Sequence, residues 1–387
     1  MIESNKVFFP NLEGLRFFAF FVVFINHATG SLGYFNSSAS YSFIRSNYLW
    51  SGDLGVSFFF VLSGFLITYL LLKEKELSGK INIKNFYLRR ALRIWPLYFL
   101  IVAMCLVVFP MFEPILPKWF PISVTTDELN KWFYLTFTGN FDYLYNGITN
   151  VLIGILWSVS VEEQFYLFWP LIVAFIPNKY LLKTFIVIIL ASVAFRFFYS
   201  QGNAMLNKYH SLSSLSDLAT GGVIAYLAFQ KTTIEWIEKT PKYAIALLYL
   251  LLLIMIPMRL YTWKFGVYYS HASSIMPLVY STLFALIILE QNYAKHSLFK
   301  IKNWKLISSF GKFTYGMYCY HMIVFFVVLF LFYLMGINIQ QMSKYTFIIL
   351  LLISFFSTIL VSELSYQYYE SIFLRLKDKF SLIRKEE

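Results

Sequence analysis

The chain has 387 residues, of which 59% are hydrophobic, 21% are aromatic and only 13% are charged, and its mean hydropathy is +0.63. A soluble domain carries about 25% charged residues, so this composition excludes a soluble globular protein and indicates a polytopic α-helical membrane protein. The formal charge of +12 would also suit a nucleic-acid-binding protein, unless the cations follow a membrane topology.

Apolar stretches that could cross a bilayer occur about ten times, since each crossing needs about 20 residues. We expect spans near 12–30, 54–72, 91–109, 163–177, 181–199, 214–230, 242–258, 271–290, 311–335 and 346–365. The stretch 110–162 contains several prolines and a short aromatic segment, which predict an outer loop with a partly embedded portion. The predicted fold is all-α, with one membrane domain over 1–370 and a basic tail over 371–387.

The Lys and Arg residues predict the orientation. With the N-terminus inside, the inner segments hold 23 of the 32 Lys and Arg residues and the outer segments hold eight. This bias follows the positive-inside rule, so we expect both termini in the cytoplasm. The cations therefore report topology, and nucleic-acid binding is not expected.

The first predicted span contains two ionisable residues, Arg16 and His27. They are 11 residues apart, so a helix places both on one face, about 16 Å apart along its axis. Charged groups in lipid are costly, so this face should look into the bundle. From spacing alone, a functional pair and a structural pair remain equally open.

A cationic cluster, Arg89, Arg90 and Arg93, stands at the inner edge of the third predicted span. Arginine binds phosphate through two parallel hydrogen bonds, so three guanidinium groups here could hold a multiply phosphorylated ligand. An ordinary anchor on anionic lipid remains the alternative.

The fourth predicted span opens with acidic and hydroxyl residues. Ser158, Glu162 and Tyr166 are four residues apart and share one helix face. A carboxylate near a histidine could orient it or transfer a proton, and Glu162 is the candidate. Glu163 fits better as an acidic residue favoured near a helix N-terminus.

Weaker patterns surround Ser63 and His321. Ser63 belongs to Gly55–Thr68, whose small residues favour close helix packing over nucleophilic chemistry. His321 is isolated in the sequence, and we expect it to be structural. No His, Cys or carboxylate spacing indicates a metal site, and no nucleotide-binding fingerprint occurs.

Together these segments resemble the acyltransferase-3 family of membrane O-acyltransferases. The resemblance is carried, in family order, by Asn11–Arg16 with His27, Gly55–Thr68, Phe86–Pro96, Leu156–Tyr166 and Tyr315–His321. It implies a bundle of ten spans in the bacterial plasma membrane that moves an acyl group, commonly acetyl, from acyl-CoA to a hydroxyl of a cell-surface or lipid-linked glycan.

The resemblance also implies residue roles. His27 would be the catalytic base or a transient acyl carrier, and Arg16 would position it or the acyl carbonyl. Glu162 is the family's acidic position and completes the catalytic set. The phosphates of CoA would be bound by Arg89, Arg90 and Arg93. The substrate would be contacted by Trp157, Ser158 and Glu163.

The chain departs from the family pattern at Glu13, where Asp is usual, and after Glu370, where a proline is missing. Some relatives carry a fused extracellular esterase-like domain, and the sequence shows no such domain. We therefore expect the chain to complete the transfer itself or to pass the acyl group to a separate extracytoplasmic partner. A transporter or flippase of a lipid-linked glycan or acyl intermediate is the alternative function, and a scaffold without catalysis is a third.

Overall fold

The computed structural model describes residues 7, 9–32, 52–116, 130–147, 150–199, 203–264 and 272–382, and within them all regular structure is helical. The α-helices in chain order are α1 (Pro10–Leu32), α2 (Gly52–Ser78), α3 (Ile83–Ala103), α4 (Lys131–Leu135), α5 (Gly139–Asn146), α6 (Val151–Gly154), α7 (Trp157–Phe175), α8 (Asn178–Tyr199), α9 (Ala204–Tyr209), α10 (Ser211–Ala228), α11 (Lys231–Glu238), α12 (Lys242–Lys264), α13 (Ala272–Tyr293), α14 (Lys305–Gly311), α15 (Thr314–Leu334), α16 (Lys344–Ser365) and α17 (Ser371–Asp378). π-helical turns cover Met104–Val108 and Tyr366–Glu370, and 3-10 turns cover Phe109–Ile115, Ile301–Asn303 and Ile339–Gln341. The prediction of an all-α membrane bundle is confirmed.

The ten predicted spans all fall on helices. In the described part of the chain, eight helical stretches are long and apolar enough to cross a membrane. A ninth candidate is Ala204–Ala228 with Lys231–Glu238, which are bent by 94° relative to each other. The remaining predicted span, 242–258, corresponds to a shorter apolar stretch, Lys242–Ile256.

The predicted span boundaries are wrong where polar side chains face the bundle interior. Helix α7 begins at Trp157, six residues before the predicted start, and Ser158 and Ser160 in its first turn are buried. Helix α3 begins at Ile83, eight residues early, because its arginines lower the hydropathy of a stretch that is nonetheless helical. Hydropathy averages over all faces of a helix and therefore misses a polar face turned inward.

The stretch predicted as an outer loop folds into short helices that pack against the bundle. The Tyr98 hydroxyl in α3 donates to the carbonyl of Tyr134 in α4 at 2.8 Å, and the Tyr134 hydroxyl donates to Asp142 in α5 at 2.8 Å. The Gln164 amide of α7 donates to Phe137 and Asn140 oxygens, both at 2.8 Å. Residues 117–129, 148 and 149 of this stretch lie outside the described residues.

Glycines let three helices approach the backbone of their neighbours. A Cβ on Gly64 of α2 would lie 1.9 Å from the Leu218 carbonyl oxygen of α10, and one on Gly221 would lie 2.1 Å from the Val61 oxygen. A Cβ on Gly55 would lie 2.5 Å from the Ala19 oxygen of α1. These contacts hold α2 between α1 and α10 and match the packing predicted for Gly55–Thr68.

Arg196 of α8 is buried in the bundle, although the topology count assigns it to the outer cations. Its side chain is fully buried, with Nε donating to the Ser274 carbonyl at 2.8 Å and Nη1 donating to Ser216 Oγ at 2.8 Å. Nη1 also bonds the Ser213 carbonyl. Arg196 therefore ties α8, α10 and α13 together and does not report orientation.

Candidate active site

Two histidines from distant parts of the chain are in contact. His27 of α1 places Nδ1 2.8 Å from Nε2 of His321 in α15, and their rings are nearly parallel at 10°. Nδ1 of His321 lies 2.6 Å from the carbonyl oxygen of Tyr318, and His321 is buried. His321 is isolated in the sequence, but in the fold it contacts the predicted catalytic histidine.

The partners of these imidazoles determine where their protons lie. A carbonyl oxygen only accepts, so Nδ1 of His321 carries a hydrogen and donates to Tyr318. Nε2 of a neutral His321 is then an acceptor, and Nδ1 of His27 must donate to it. The proton of neutral His27 is therefore on Nδ1, and its Nε2 keeps a free lone pair. The pair orients His27 as a base or nucleophile through Nε2.

Polar and aromatic side chains surround the histidine pair. The Tyr318 hydroxyl donates to the Ile155 carbonyl at 3.0 Å and lies 2.6 Å from Ser158 Oγ. Trp157 packs its ring edge-on against Tyr209, with ring centroids 4.9 Å apart. Of the residues predicted to contact substrate, Ser158 therefore belongs to this cluster, whereas Trp157 packs against Tyr209 and Phe60.

An ion pair lies near His27. Lys208 Nζ and Asp53 Oδ1 are 2.7 Å apart, their side chains are 35% and 32% exposed, and both interact electrostatically with His27. Asp53 is at the start of α2, beside Gly52, where an added Cβ would meet the side chain of Asn26, the residue before His27. Sequence reasoning missed this pair, since Asp53 and Lys208 lie on different helices and no local spacing links them.

A cavity of about 270 Å³ extends from Ser158 and Tyr318, next to the histidine pair, towards the end of the bundle where α1 begins, and neither histidine is among its lining residues. We call that end, which also carries α17, the terminal end, and the opposite end the far end. Ser158 and Tyr318 line the cavity towards the far end, whereas Arg90, Arg93 and Lys377 line it at the terminal end. Tyr318 thus lines the cavity and also accepts a hydrogen bond from His321 through its carbonyl.

The three predicted phosphate-binding arginines have different surroundings. Arg89 donates through Nη2 to Glu74 at 2.7 Å and through Nη1 to the carbonyl of Phe380 at 2.9 Å. Glu74 is buried, so Arg89 fills a structural need. All three arginines line the cavity, but among the described residues neither Arg90 nor Arg93 forms a salt bridge with a carboxylate.

Arg16 lies with this arginine cluster and not beside His27. Its Nη1 is 2.9 Å from Glu13 Oε2, and both side chains line the cavity. It also interacts electrostatically with Arg93. The 11-residue spacing thus places Arg16 and His27 about 16 Å apart along α1, with Arg16 nearer the terminal end and His27 nearer the far end.

The two acidic neighbours of α7 point to different places. Glu162 lines the cavity with Ser158 and Tyr166, as their four-residue spacing predicts, and it accepts from the Tyr166 hydroxyl at 3.0 Å. Tyr166 in turn bonds Ser63 Oγ. Glu163 accepts from the Trp95 indole at 2.9 Å and does not line the cavity.

No metal centre accompanies these residues in the described ranges. They contain no group of three or more His, Cys, Asp or Glu side chains that could hold a metal ion. The chemistry available at the site is that of an imidazole base, a carboxylate and several cations.

Comparison of the sequence with known proteins identifies its family. The family model described as an acyltransferase domain, Acyl_transf_3, matches residues 9–366. The O-acetyltransferase OatA of Staphylococcus aureus (strain NCTC 8325 / PS 47) is 27% identical over 386 residues, covering 94% of this chain and 57% of the relative. The peptidoglycan O-acetyltransferase OatA of Listeria monocytogenes serovar 1/2a is 27% identical over 239 residues, covering 58% of this chain and 34% of the relative.

The chain spans little more than half the length of the first of these relatives. No solved structure matches it. Since the family model covers nearly the whole chain, from the first helix to the end of the last long one, the chain belongs to the acyltransferase-3 family.

Proposed function

We propose that this chain is a membrane O-acyltransferase that moves an acetyl group from acetyl-CoA to a hydroxyl of a cell-envelope glycan. The observation that carries the proposal is the His27–His321 pair, which leaves a basic imidazole nitrogen on His27 and bonds Tyr318, a residue that lines the cavity towards its far end. Arginines stand at the other end, where a phosphorylated donor would bind. The names of the relatives support O-acetyl transfer as the reaction to test first.

The donor would enter from the terminal end. The excess of Lys and Arg in the segments at that end supports a cytoplasmic position for both termini, where acyl-CoA is available. Arg90 and Arg93 would bind the diphosphate of CoA, with Arg16 deeper along the cavity. The pantetheine arm would then run past Ser63 and Glu162 towards Tyr318.

The acceptor hydroxyl would be deprotonated by Nε2 of His27. As the proton leaves, the hydroxyl oxygen attacks the acyl carbon and an oxyanion forms. The carbon–sulfur bond then breaks, and the thiolate takes up the proton from His27, which yields the ester and free CoA. General-base catalysis of this kind contributes about 10²–10⁴-fold to the rate. In the second route, Nε2 itself carries the acyl group before the acceptor takes it.

The acceptor would approach from the far end, where Lys208 and Asp53 are partly exposed near His27. An ion pair presents hydrogen-bond donors and acceptors together, which suits neighbouring sugar hydroxyls. Peptidoglycan is the first acceptor to test because the Listeria relative is named for it. Direct transfer and transfer through a separate extracytoplasmic protein are distinguishable, because the two routes leave the acyl group on different molecules.

The test is acylation of surface glycan in cells that lack the gene, complemented with the wild type, His27→Ala or His296→Ala. Mass spectrometry would measure a base-labile increment of acetyl mass on isolated glycan, with membrane levels of each protein checked by blotting. We expect the increment with the wild type and with His296→Ala, whose side chain is on an exposed residue, and none with His27→Ala. An equal increment with His27→Ala would reject the mechanism. Glycan that fails to reach the surface without the protein would favour a transporter.

A further inference from the structure

The C-terminal segment forms part of the cavity wall at the terminal end. Lys377 and Asp378 of α17, with Ser381 and Leu382 after it, line the cavity together with Arg90. Two bonds fasten this segment to α3. Arg89 donates to the Phe380 carbonyl at 2.9 Å, and the Tyr369 hydroxyl donates to the Pro96 carbonyl at 3.1 Å. The segment is therefore a wall of the cavity and not only a solvated basic tail.

Lys377 has an unusual electrostatic position in this wall. Its side chain is 17% exposed, and its Nζ lies 3.3 Å from Asp378 Oδ1, a carboxylate that is 69% exposed. Arg90 and Arg93 interact with it electrostatically. A carboxylate mostly in water compensates a partly buried cation weakly. Three cations facing one cavity are therefore more stable when an anion binds between them.

The order of the cations along the cavity matches the order of phosphates in CoA. CoA carries a diphosphate between its pantetheine arm and its nucleotide, and a separate 3′-phosphate on the ribose, further from the thioester. Arg93 interacts with Arg16, deeper in the cavity, whereas Lys377 lies on the last helix, beside exposed residues at the mouth. The phosphate furthest from the thioester would therefore meet Lys377.

We propose that Lys377 binds the 3′-phosphate of the acyl-CoA donor, so that the C-terminal helix selects CoA over donors lacking this group. The inference rests on the proposed function, because it assumes acyl-CoA as the donor. A phosphate of an anionic lipid headgroup offers the same chemistry, so the membrane used in the test must contain none.

The experiment measures dissociation constants by calorimetry on protein in nanodiscs of neutral phosphatidylcholine. The ligands are acetyl-CoA and 3′-dephospho-acetyl-CoA, and the proteins are wild type, Lys377→Gln, Lys377→Arg and Arg375→Gln. Arg375 is the matched control, because it lies on the same helix, is exposed and bonds only to Ser371 in the described structure. A second series adds phosphatidylglycerol to the nanodiscs.

We expect the wild type to bind acetyl-CoA about tenfold more tightly than 3′-dephospho-acetyl-CoA, because the dephospho ligand lacks one charged hydrogen bond. Lys377→Gln should weaken acetyl-CoA binding about tenfold and leave the dephospho ligand unchanged. Lys377→Arg and Arg375→Gln should keep the wild-type discrimination.

Three results would overturn the inference. Equal weakening of both ligands by Lys377→Gln would place Lys377 at another phosphate or in the fold of the wall. Unchanged affinities would remove it from the donor site, and an effect that appears only with phosphatidylglycerol would make it a lipid anchor. If the wild type binds neither ligand, the proposed donor itself is wrong, which is a different result from the first three.

Discussion

His27 and His321 are separated by 294 positions in the chain and joined by a hydrogen bond of 2.8 Å between Nδ1 and Nε2. The bond fixes the tautomer of His27 because the other nitrogen of His321 is committed to the Tyr318 carbonyl. His321 does not need to touch the substrate to matter. We propose that it acts as a positioning residue that keeps the lone pair of His27 on Nε2.

Replacing His321 tests this positioning role. We expect His321→Ala to lower kcat about 10–100-fold, as loss of a partner that orients a functional histidine does elsewhere, with little change in KM for the donor. His321→Gln can still accept from His27 Nδ1 through its amide oxygen, so it should recover part of the activity. Steady-state kinetics on purified protein would measure both constants.

His210→Ala is the matched control for that experiment, because His210 caps a helix through its Nδ1 and is not bonded to His27. A kcat for His321→Ala equal to the wild-type value would show that the orientation of His27 does not depend on the pair. A rise in KM alone would assign His321 to donor binding.

Much of the fold follows from the sequence, whereas the site follows only in part. The spans are detectable because apolar runs have a length set by the bilayer. The start of α7 is not detectable, since Ser158 and Glu162 lower its hydropathy although they face a cavity within the bundle. The contact of His321 with His27 comes from packing of α15 on α1, and no local spacing records it.

The arginine cluster shows the same limit of sequence-based prediction within a single helix. Arg89 and Arg90 are neighbours and look equivalent in the sequence, yet Arg89 is committed to Glu74, which lies one helix earlier. The family resemblance assigns Arg16 to positioning His27 or the acyl carbonyl. The rise of the helix, however, separates Arg16 from His27 by about 16 Å along α1. Residue type and position within a span identify candidate site residues, whereas their contacts in the folded chain distinguish their roles.

Glu162 and Glu163 are adjacent and provide a matched pair of substitutions. We expect Glu162→Gln to lower kcat about tenfold or more, because an amide beside Tyr166 cannot take up a proton. Glu163→Gln should keep most activity, since Glu163 bonds Trp95 and does not line the cavity. Turnover of acetyl-CoA with a glycan acceptor would compare them. The opposite ranking would move the functional carboxylate to Glu163.

The glycine contact between α2 and α10 should be sensitive to a single methyl group. Gly64→Ala would place a Cβ 1.9 Å from a backbone oxygen that cannot move without its helix. We expect a loss of about 1–3 kcal/mol in stability, visible as a lower melting temperature in detergent. Gly30→Ala in α1 is the control, because its added Cβ meets nothing within 4 Å. Equal melting temperatures for both variants would mean that α2 and α10 are further apart.

Arg89 and Arg93 should fail in different ways when each is changed to Gln. Arg89→Gln leaves the carboxylate of Glu74 without its cation, at a side chain only 6% exposed, and breaking such a pair costs about 3–5 kcal/mol. Arg93→Gln removes a cation that lines the cavity without a carboxylate partner among the described residues, so the stability of the protein should be kept. The affinity for the donor should fall about tenfold, because one charged hydrogen bond is lost. Thermal melting and calorimetric titration with acetyl-CoA separate the two effects. A stable Arg89→Gln protein with lost donor affinity would instead make Arg89 a ligand of the phosphates, and the bond to Glu74 would then serve to orient its guanidinium.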